Sequence, residues 1–164
     1  MSEYLYIDEQ SFANLNKRFK VLDKRVRKAS TKGLIDFGML IIAKAQETLK
    51  KNGSIATNVL RNSARVLKKT DGSVEAGFDS HYAGAVEFGR KAGGMPPVKM
   101  ILQWLKKKRI GKDEERESMA WAIAKNIADE GTKPHPFLEP AYEEYRGKIQ
   151  EYMQEVINKE IERL

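Results

Sequence analysis

Apolar residues recur along the first third of the chain with the spacing of one helix face. The first series alternates steps of three and four residues, as in a coiled-coil seam: Phe12, Leu15, Phe19, Leu22, Val26 and Ala29. A second series with helical spacing follows: Phe37, Ile41, Ala45 and Leu49. Between them lie four weak helix formers or flexible residues: Ser30, Thr31, Lys32 and Gly33. Either one helix spans about 11–50, or two helices meet at that tetrapeptide; we favour one helix, continuous or mildly bent.

A continuous helix of this length has consequences for assembly. It measures roughly 60 Å at 1.5 Å per residue, whereas a compact domain of this size has a radius of gyration of only ~15 Å. The helix would therefore project past its own core. Its apolar seam would then need a partner to cover it.

The rest of the chain predicts a single, helix-rich α+β domain over residues 1–164. Asp71-Gly72 lies between two short alternating runs, which indicates an antiparallel hairpin over about 65–79. Short helical patterns follow, and Trp104 and Trp121 are expected to anchor the core from two of them. A last, long helix is expected from about residue 138 to near the C-terminus. The fold class is thus long N- and C-terminal helices around a small β-sheet.

Composition excludes several classes of site. The chain contains no cysteine, which removes disulfides, thiolate nucleophiles and cysteine metal ligands. Its two histidines, His81 and His135, lack metal-ligand spacing. Acidic residues near the N-terminus argue against a signal peptide, and no apolar stretch approaches the ~20 residues that cross a bilayer. We therefore expect no metal, no cofactor, no membrane and no small-molecule substrate.

The net charge of +7 is unevenly distributed. Residues 1–133 contain 26 basic and 16 acidic residues, whereas residues 134–164 contain 4 and 7. The resulting charges of +10 and −3 are opposite poles, which can guide head-to-tail contact between copies of one chain. Ordinary surface variation is the alternative interpretation.

Glu87 is the acid with the most distinctive setting, inside the apolar run Ala85-Val86-Glu87-Phe88. A buried carboxylate can act as a general base. The alternatives are that it pairs with an arginine such as Arg61 or Arg65, or that it faces solvent. No second acid or nucleophile lies nearby in sequence, so we expect no catalysis. Gly89, Gly93 and Gly94 fail both phosphate-loop spacings and predict a mobile loop instead.

Two basic clusters are candidates for contact with phosphate. Residues 17–32 hold eight basic residues and one acid, and residues 106–109 are all basic. Neither cluster has interleaved aromatic residues or a sequence-reading motif, so any DNA contact would be non-specific and salt-sensitive. The alternative explanation is that cations are favoured on exposed helix faces and at helix C-termini. The candidate residues are Lys17, Arg18, Lys24, Arg25, Lys28, Lys106, Lys107, Lys108 and Arg109.

Three segments together resemble the neck and tail-completion proteins of long-tailed bacteriophages and prophages, often labelled tail components. Residues 57–63 (TNVLRNS) are similar to that family's Thr-Gly-x-Leu-Arg-x-Ser element, although Asn58 replaces the usual glycine. Residues 82–89 (YAGAVEFG) resemble its Tyr-Ala-x-x-Val-Glu-Phe-Gly element, although Arg90 stands where threonine often follows. Residues 131–141 (GTKPHPFLEPA) resemble its Pro-x-Pro-Phe-Leu-x-Pro-Ala element. The order of the segments agrees, and the likeness covers about residues 10–160.

The resemblance implies a structural virion protein at the head–tail joint, which assembles as a ring or docks on one and uses no cofactor. It implies that Pro134 and Pro136 fix the path into the last helix. Phe137 and Leu138 are then expected to pack against Tyr82, Val86 and Phe88. The partners implied are further copies of this chain and other neck or tail proteins, in the host cytoplasm during assembly and in the virion afterwards. The alternatives are a DNA-binding protein that uses the basic first helix and a small enzyme that uses Glu87.

Overall fold

The computed structural model describes residues 9–53 and 58–163. In these ranges the chain forms seven helices and two strands. Their order is α1 (Glu9–Lys51), α2 (Val59–Asn62), β1 (Ala64–Lys68), β2 (Val74–Phe78), α3 (Ala83–Phe88), α4 (Val98–Lys108), α5 (Arg116–Glu130), α6 (Leu138–Arg146) and α7 (Ile149–Ile161). The predicted α+β class, with a long N-terminal helix and a small antiparallel sheet, is confirmed.

Helix α1 is continuous through residues 30–33, where the sequence allowed either one helix or two. It runs for 43 residues, about 64 Å at 1.5 Å per residue. Gly33 is buried against α7, and a Cβ there would lie 3.2 Å from Met153 Sδ and from Val156 Cγ1. The weak helix former therefore permits close approach of a second helix, and that packing stabilises α1 where its propensity is low.

The hairpin forms as predicted and packs on α1. Val66 pairs with Ala76 in the antiparallel register, and both side chains lie against Gly38, where a Cβ would be 3.1 Å from Val66 Cγ1. In the turn, Asp71 Oδ1 accepts bonds from the N–H and the hydroxyl of Ser73, and Gly72 has a φ of 89°. These bonds to Asp71 lower the pKa of its carboxyl.

Helices α6 and α7 run antiparallel to α1. Contacts pair Lys44 with Glu144, Phe37 with Tyr152 at 5.4 Å between ring centroids, and Arg25 with Glu160 at 3.1 Å. The Glu144 carboxylate raises the pKa of Lys44, and the Arg25 guanidinium holds the pKa of Glu160 below its usual range. The last turn of α7 therefore lies beside Arg25, and α1 continues beyond it.

The prediction of a single C-terminal helix is wrong in one detail, because two helices, α6 and α7, meet at Gly147 and Lys148. The Lys148 N–H donates to Tyr145 O at 2.8 Å, a bond to the residue three positions earlier that tightens the chain locally. Glycine is a weak helix former with no side chain to pack here, so the ladder breaks at this position. Both residues keep right-handed helical angles, and α7 follows directly.

Helices α4 and α5 pack on each other. Leu105 of α4 and Ala120 and Ala124 of α5 are fully buried, and the small alanine side chains permit close helix packing. The predicted core role of Trp121 is wrong, since its side chain is 54% exposed. Trp104 is half-buried. None of the helices described is long and apolar enough to cross a membrane.

Candidate functional site

The Glu87 carboxylate binds the N-terminus of α6. Its Oε2 accepts the N–H groups of Phe137 at 2.8 Å and Leu138 at 3.0 Å, and its Oε1 accepts the N–H of Glu139 at 2.8 Å. Only 6% of Glu87 is exposed. The first N–H groups of a helix lack intrahelical acceptors and carry partial positive charge, so a carboxylate there is stabilised without a counter-ion.

This geometry contradicts two of the sequence interpretations of Glu87, the pairing with an arginine and the exposure to solvent. Arg65 pairs with Asp79, Arg61 is exposed, and the carboxylate does not face solvent. Both of its oxygens accept backbone N–H groups, an arrangement that suits a helix cap. The sequence did contain a signal for this cap. No Ser, Thr, Asp or Asn immediately precedes the predicted helix start at Leu138, so its N–H groups needed a distant acceptor.

A short backbone bridge fixes the segment that leaves α3 against the segment that enters α6. The Arg90 N–H donates to Thr132 O at 3.1 Å, and the Thr132 N–H donates to Arg90 O at 2.8 Å. One turn earlier, Val86 O accepts the His135 N–H at 2.8 Å. Residues 133–136 form neither helix nor strand, and α3 holds this segment through the His135 N–H.

Glycines flank this bridge on both strands because no side chain fits there. Gly89 has φ 71° and ψ −176°, and Gly131 has φ 82° and ψ −159°, a region occupied essentially by glycine alone. A Cβ on Gly89 would lie 2.5 Å from Thr132 O, and a Cβ on Gly131 would lie 2.1 Å from Arg90 O. Gly89 therefore serves close backbone approach, and the mobile loop over Gly89, Gly93 and Gly94 stays a prediction.

Substitution of Gly131 by alanine is expected to destabilise the fold by about 2 kcal/mol, from backbone strain and the clash with Arg90 O. Gly147→Ala is the matched control, because Gly147 has a φ of −74° and nothing lies within 4 Å of its added Cβ. The control is expected to stabilise by about 0.5 kcal/mol, through a less flexible unfolded chain. Urea unfolding followed by circular dichroism measures the stability of both variants. Equal unfolding midpoints would contradict the close backbone approach at Gly131.

All three phage-like segments converge on one apolar cluster beside the C-terminal half of α1. The buried members are Ala45, Leu49, Leu60, Phe137 and Ala141, and partly buried residues around them include Ile41, Phe78, Tyr82, Ala83, Val86 and Leu138. Phe137 stacks edge-on against Phe78 at 5.0 Å. Tyr82, Val86 and Leu138 pack against the buried cluster that contains Phe137. The motifs are far apart in sequence but form one structural unit.

Phe88 does not join this cluster, although the sequence interpretation placed it there. Its side chain is 76% exposed. Helix α3 has only six residues, and Glu87 uses its inward position to reach α6. Phe88 follows directly, and neighbouring residues on a helix point in directions about 100° apart. It therefore points away from the cluster.

Phe88 lines a groove on the outside of the cluster, with a volume of about 530 Å³. The apolar wall consists of Phe78, Ala83, Phe88, Phe137, Leu138 and Tyr142. Tyr142 is 51% exposed. Three carboxylates also line the groove, from Glu87, Glu139 and Glu143, and no basic side chain is among the described lining residues. We call this surface the α3–α6 groove.

The basic candidates lie on two different helices. On α1, Lys17, Arg18, Lys24 and Lys28 are exposed, whereas Arg25 is committed to Glu160. The second cluster closes α4: Lys106, Lys107 and Lys108 form its last turn, where cations suit the negative end of the dipole. Arg109 takes the left-handed conformation that ends the helix.

The histidines do not form a metal site with neighbouring residues. His81 packs edge-on against Tyr82, and His135 contributes its backbone N–H to the α3 contact. Within residues 9–53 and 58–163, no group of three His, Asp or Glu side chains is arranged to hold a metal ion.

Comparison of the chain with models of protein families, with curated proteins and with solved structures gives no match in any of the three.

Proposed function

We propose that this protein is a structural subunit of the head–tail joint of a tailed phage, acting by self-association and by contact with other neck or tail proteins. The observation that carries the proposal is the convergence of three motif-like segments on one unit. Residues of all three segments meet in the apolar cluster or its border, and Glu87 links the second segment to the third through three hydrogen bonds.

The nature of these contacts supports an architectural role. The motif residues supply a helix cap, two glycines for close approach, an aromatic anchor and a proline-directed path. These features fix the relative position of α1, α3 and α6. Glu87, the acid of the second segment, is used as a helix cap, which is a structural use of a carboxylate. The residues behind the phage resemblance therefore have a physical reason to be there that involves shape alone.

The exposed start of α1 supports assembly as the mode of action. Leu15 is 43% exposed and Phe19 is 58% exposed, on the seam that the sequence predicted to need a partner. Large apolar side chains arranged in a row on a projecting helix favour contact with another protein.

Deletion of the gene from the phage that encodes it tests the proposal. We expect DNA-filled heads and finished tails that remain unattached, seen by negative-stain electron microscopy, and recovery of infectious particles when the wild-type chain is supplied from a plasmid. Normal joined virions from the deletion strain would overturn the proposal. A plasmid carrying an early stop codon is the control for the complementation.

Non-specific DNA binding is the second candidate, because the exposed basic residues of α1 outnumber its acids between positions 17 and 32. Duplex binding of this kind falls steeply with salt. Titration of labelled duplex at low and moderate salt separates the candidates. Affinity that drops steeply with salt favours phosphate contact, and negligible affinity at low salt removes this alternative.

A further inference from the structure

The first part of α1 extends beyond every described helix that packs alongside it. The last turn of α7 lies beside Arg25, through the Arg25–Glu160 pair, and residues 9–24 precede that point. This segment, which we call the overhang, is about 24 Å long at 1.5 Å per residue. Its described side chains from Ala13 to Val21 are all exposed, and the seam becomes half-buried only from Leu22 onward.

The overhang combines an apolar row with positive charge. Leu15 and Phe19 are one helical turn apart and share a face. Arg18 lies three residues after Leu15 and four before Leu22, so it borders that face. Lys17 and Lys20 add charge, and Asp23 is the acid among the described side chains. A complementary surface would have an apolar floor, room for one helix face and an acidic border.

The α3–α6 groove has the apolar floor and the acidic residues. Phe88 and Tyr142 present large exposed apolar surfaces in it. The Glu87 charge is compensated by its three N–H donors, whereas Glu139 and Glu143 are exposed at the edge. Glu143 contacts Arg146 one helical turn later, a pair that is worth little in solvent. The groove therefore favours a basic amphipathic helix as its occupant.

The overhang cannot enter the groove of its own molecule. The groove lies on the cluster that contains Ala45 and Leu49 of α1, whereas Phe19 lies about 39 Å away along the same helix. Because α1 is one continuous helix between these points, it cannot fold back on itself. The two complementary surfaces are at opposite ends of the molecule, so only another copy can bring them together.

We propose that the overhang of one copy docks in the α3–α6 groove of the next. The inference rests on the proposed function, since it specifies the self-association that the head–tail role requires. The contact joins two different surfaces, so it leaves one free overhang and one free groove in every dimer. Repeated head-to-tail contacts of this type close into a ring when the rotation between copies allows it.

Complementation between two single variants of the full chain tests the proposal. Phe19→Ser damages the overhang and leaves the groove intact, and Phe88→Ser does the reverse. Because both side chains are largely exposed, neither change should alter the thermal unfolding midpoint. Leu67→Ser is the control, since Leu67 is 45% exposed on β1 and lines neither surface. Mass and association constant are measured by sedimentation velocity over increasing concentration.

The wild-type chain and Leu67→Ser are expected to associate equally, and each of the other variants to associate roughly 30-fold more weakly, the scale for loss of a central aromatic anchor. An equimolar mixture of the two weak variants should form a 1:1 dimer that grows no further. Raising the salt concentration should weaken association, through screening of Glu139 and Glu143. A wild-type chain that is monomeric to millimolar concentration, unchanged association of either variant, or no dimer in the mixture would each overturn the docking. The two proposals can fail separately. If the docking fails but the deletion strain makes unattached heads and tails, the neck function is still supported. If the docking is observed but the deletion strain makes joined virions, the neck function is contradicted and the docking stands.

Discussion

Replacement of Glu87 by alanine is expected to destabilise the protein by about 3–4 kcal/mol. The variant leaves the N–H groups of Phe137, Leu138 and Glu139 without their acceptors, at a place where the carboxylate is almost fully buried. Each unsatisfied buried donor costs about 1–3 kcal/mol. Water that enters the new space binds some of the three N–H groups, so the total loss is smaller than the sum of three such costs. The free energy of unfolding, from urea titration followed by circular dichroism, gives the result.

Two further variants separate the cap from a general effect of charge. Glu87→Gln keeps one carbonyl oxygen and the side-chain volume but loses the charge, so we expect about half of the alanine effect. Glu139→Gln removes an exposed carboxylate from the same helix turn and is expected to cost less than about 1 kcal/mol. Equal losses for Glu87→Gln and Glu139→Gln would mean that the hydrogen bonds to Glu87 contribute nothing specific.

The same variants bear on the enzyme alternative. A catalytic Glu87 requires that Glu87→Gln abolish a turnover while the fold keeps its stability. The capping geometry predicts a different result for Glu87→Gln. The unfolding free energy falls, and any defect in assembly follows because α6 is misplaced. Comparison of the unfolding free energy of Glu87→Gln with its ability to restore joined virions in a deletion strain distinguishes these outcomes.

The parts of the fold that sequence analysis predicted correctly are those with local signals. The α1 seam and the hairpin each depend on spacing within a few residues, and Asp71-Gly72 determines a turn without reference to the rest of the molecule. The continuity of α1 was the harder decision. It depends on α7 packing against Gly33, a contact across more than a hundred residues, so sequence spacing favoured continuity but did not explain it.

The candidate site depended on contacts that no local pattern contains. Glu87 lies 50 residues from Phe137. Gly89 has to be a glycine because the Thr132 carbonyl oxygen lies where a Cβ would be. Phe88 was misplaced because a six-residue helix is too short for periodicity to identify its inward face. Tyr142 and Glu143 were expected on the last helix, but that they line a groove with Phe88 follows only from the position of α6 on the cluster.

Truncation of Phe137 to alanine is expected to cost about 3–5 kcal/mol, the range for loss of a large buried aromatic side chain. Only 1% of Phe137 is exposed, and its ring contacts Phe78 edge-on between the hairpin and the last helices. The Phe137 N–H also binds the Glu87 carboxylate. The backbone around Phe137 is therefore held and cannot easily collapse into the cavity. A domain with a typical stability of roughly 5–15 kcal/mol would lose a large part of it.

Phe88→Ala provides the matched control, because it removes the same atoms from a side chain that is 76% exposed. We expect its unfolding free energy to stay within about 0.5 kcal/mol of wild type. The two phenylalanines then differ in role: Phe137 packs in the cluster that the three motif segments share, and Phe88 stays on the surface, where the proposed docking uses it. Measured under identical conditions, a loss for Phe88→Ala that equals the loss for Phe137→Ala would show that Phe88 belongs to the core, and the α3–α6 groove would then be no docking surface.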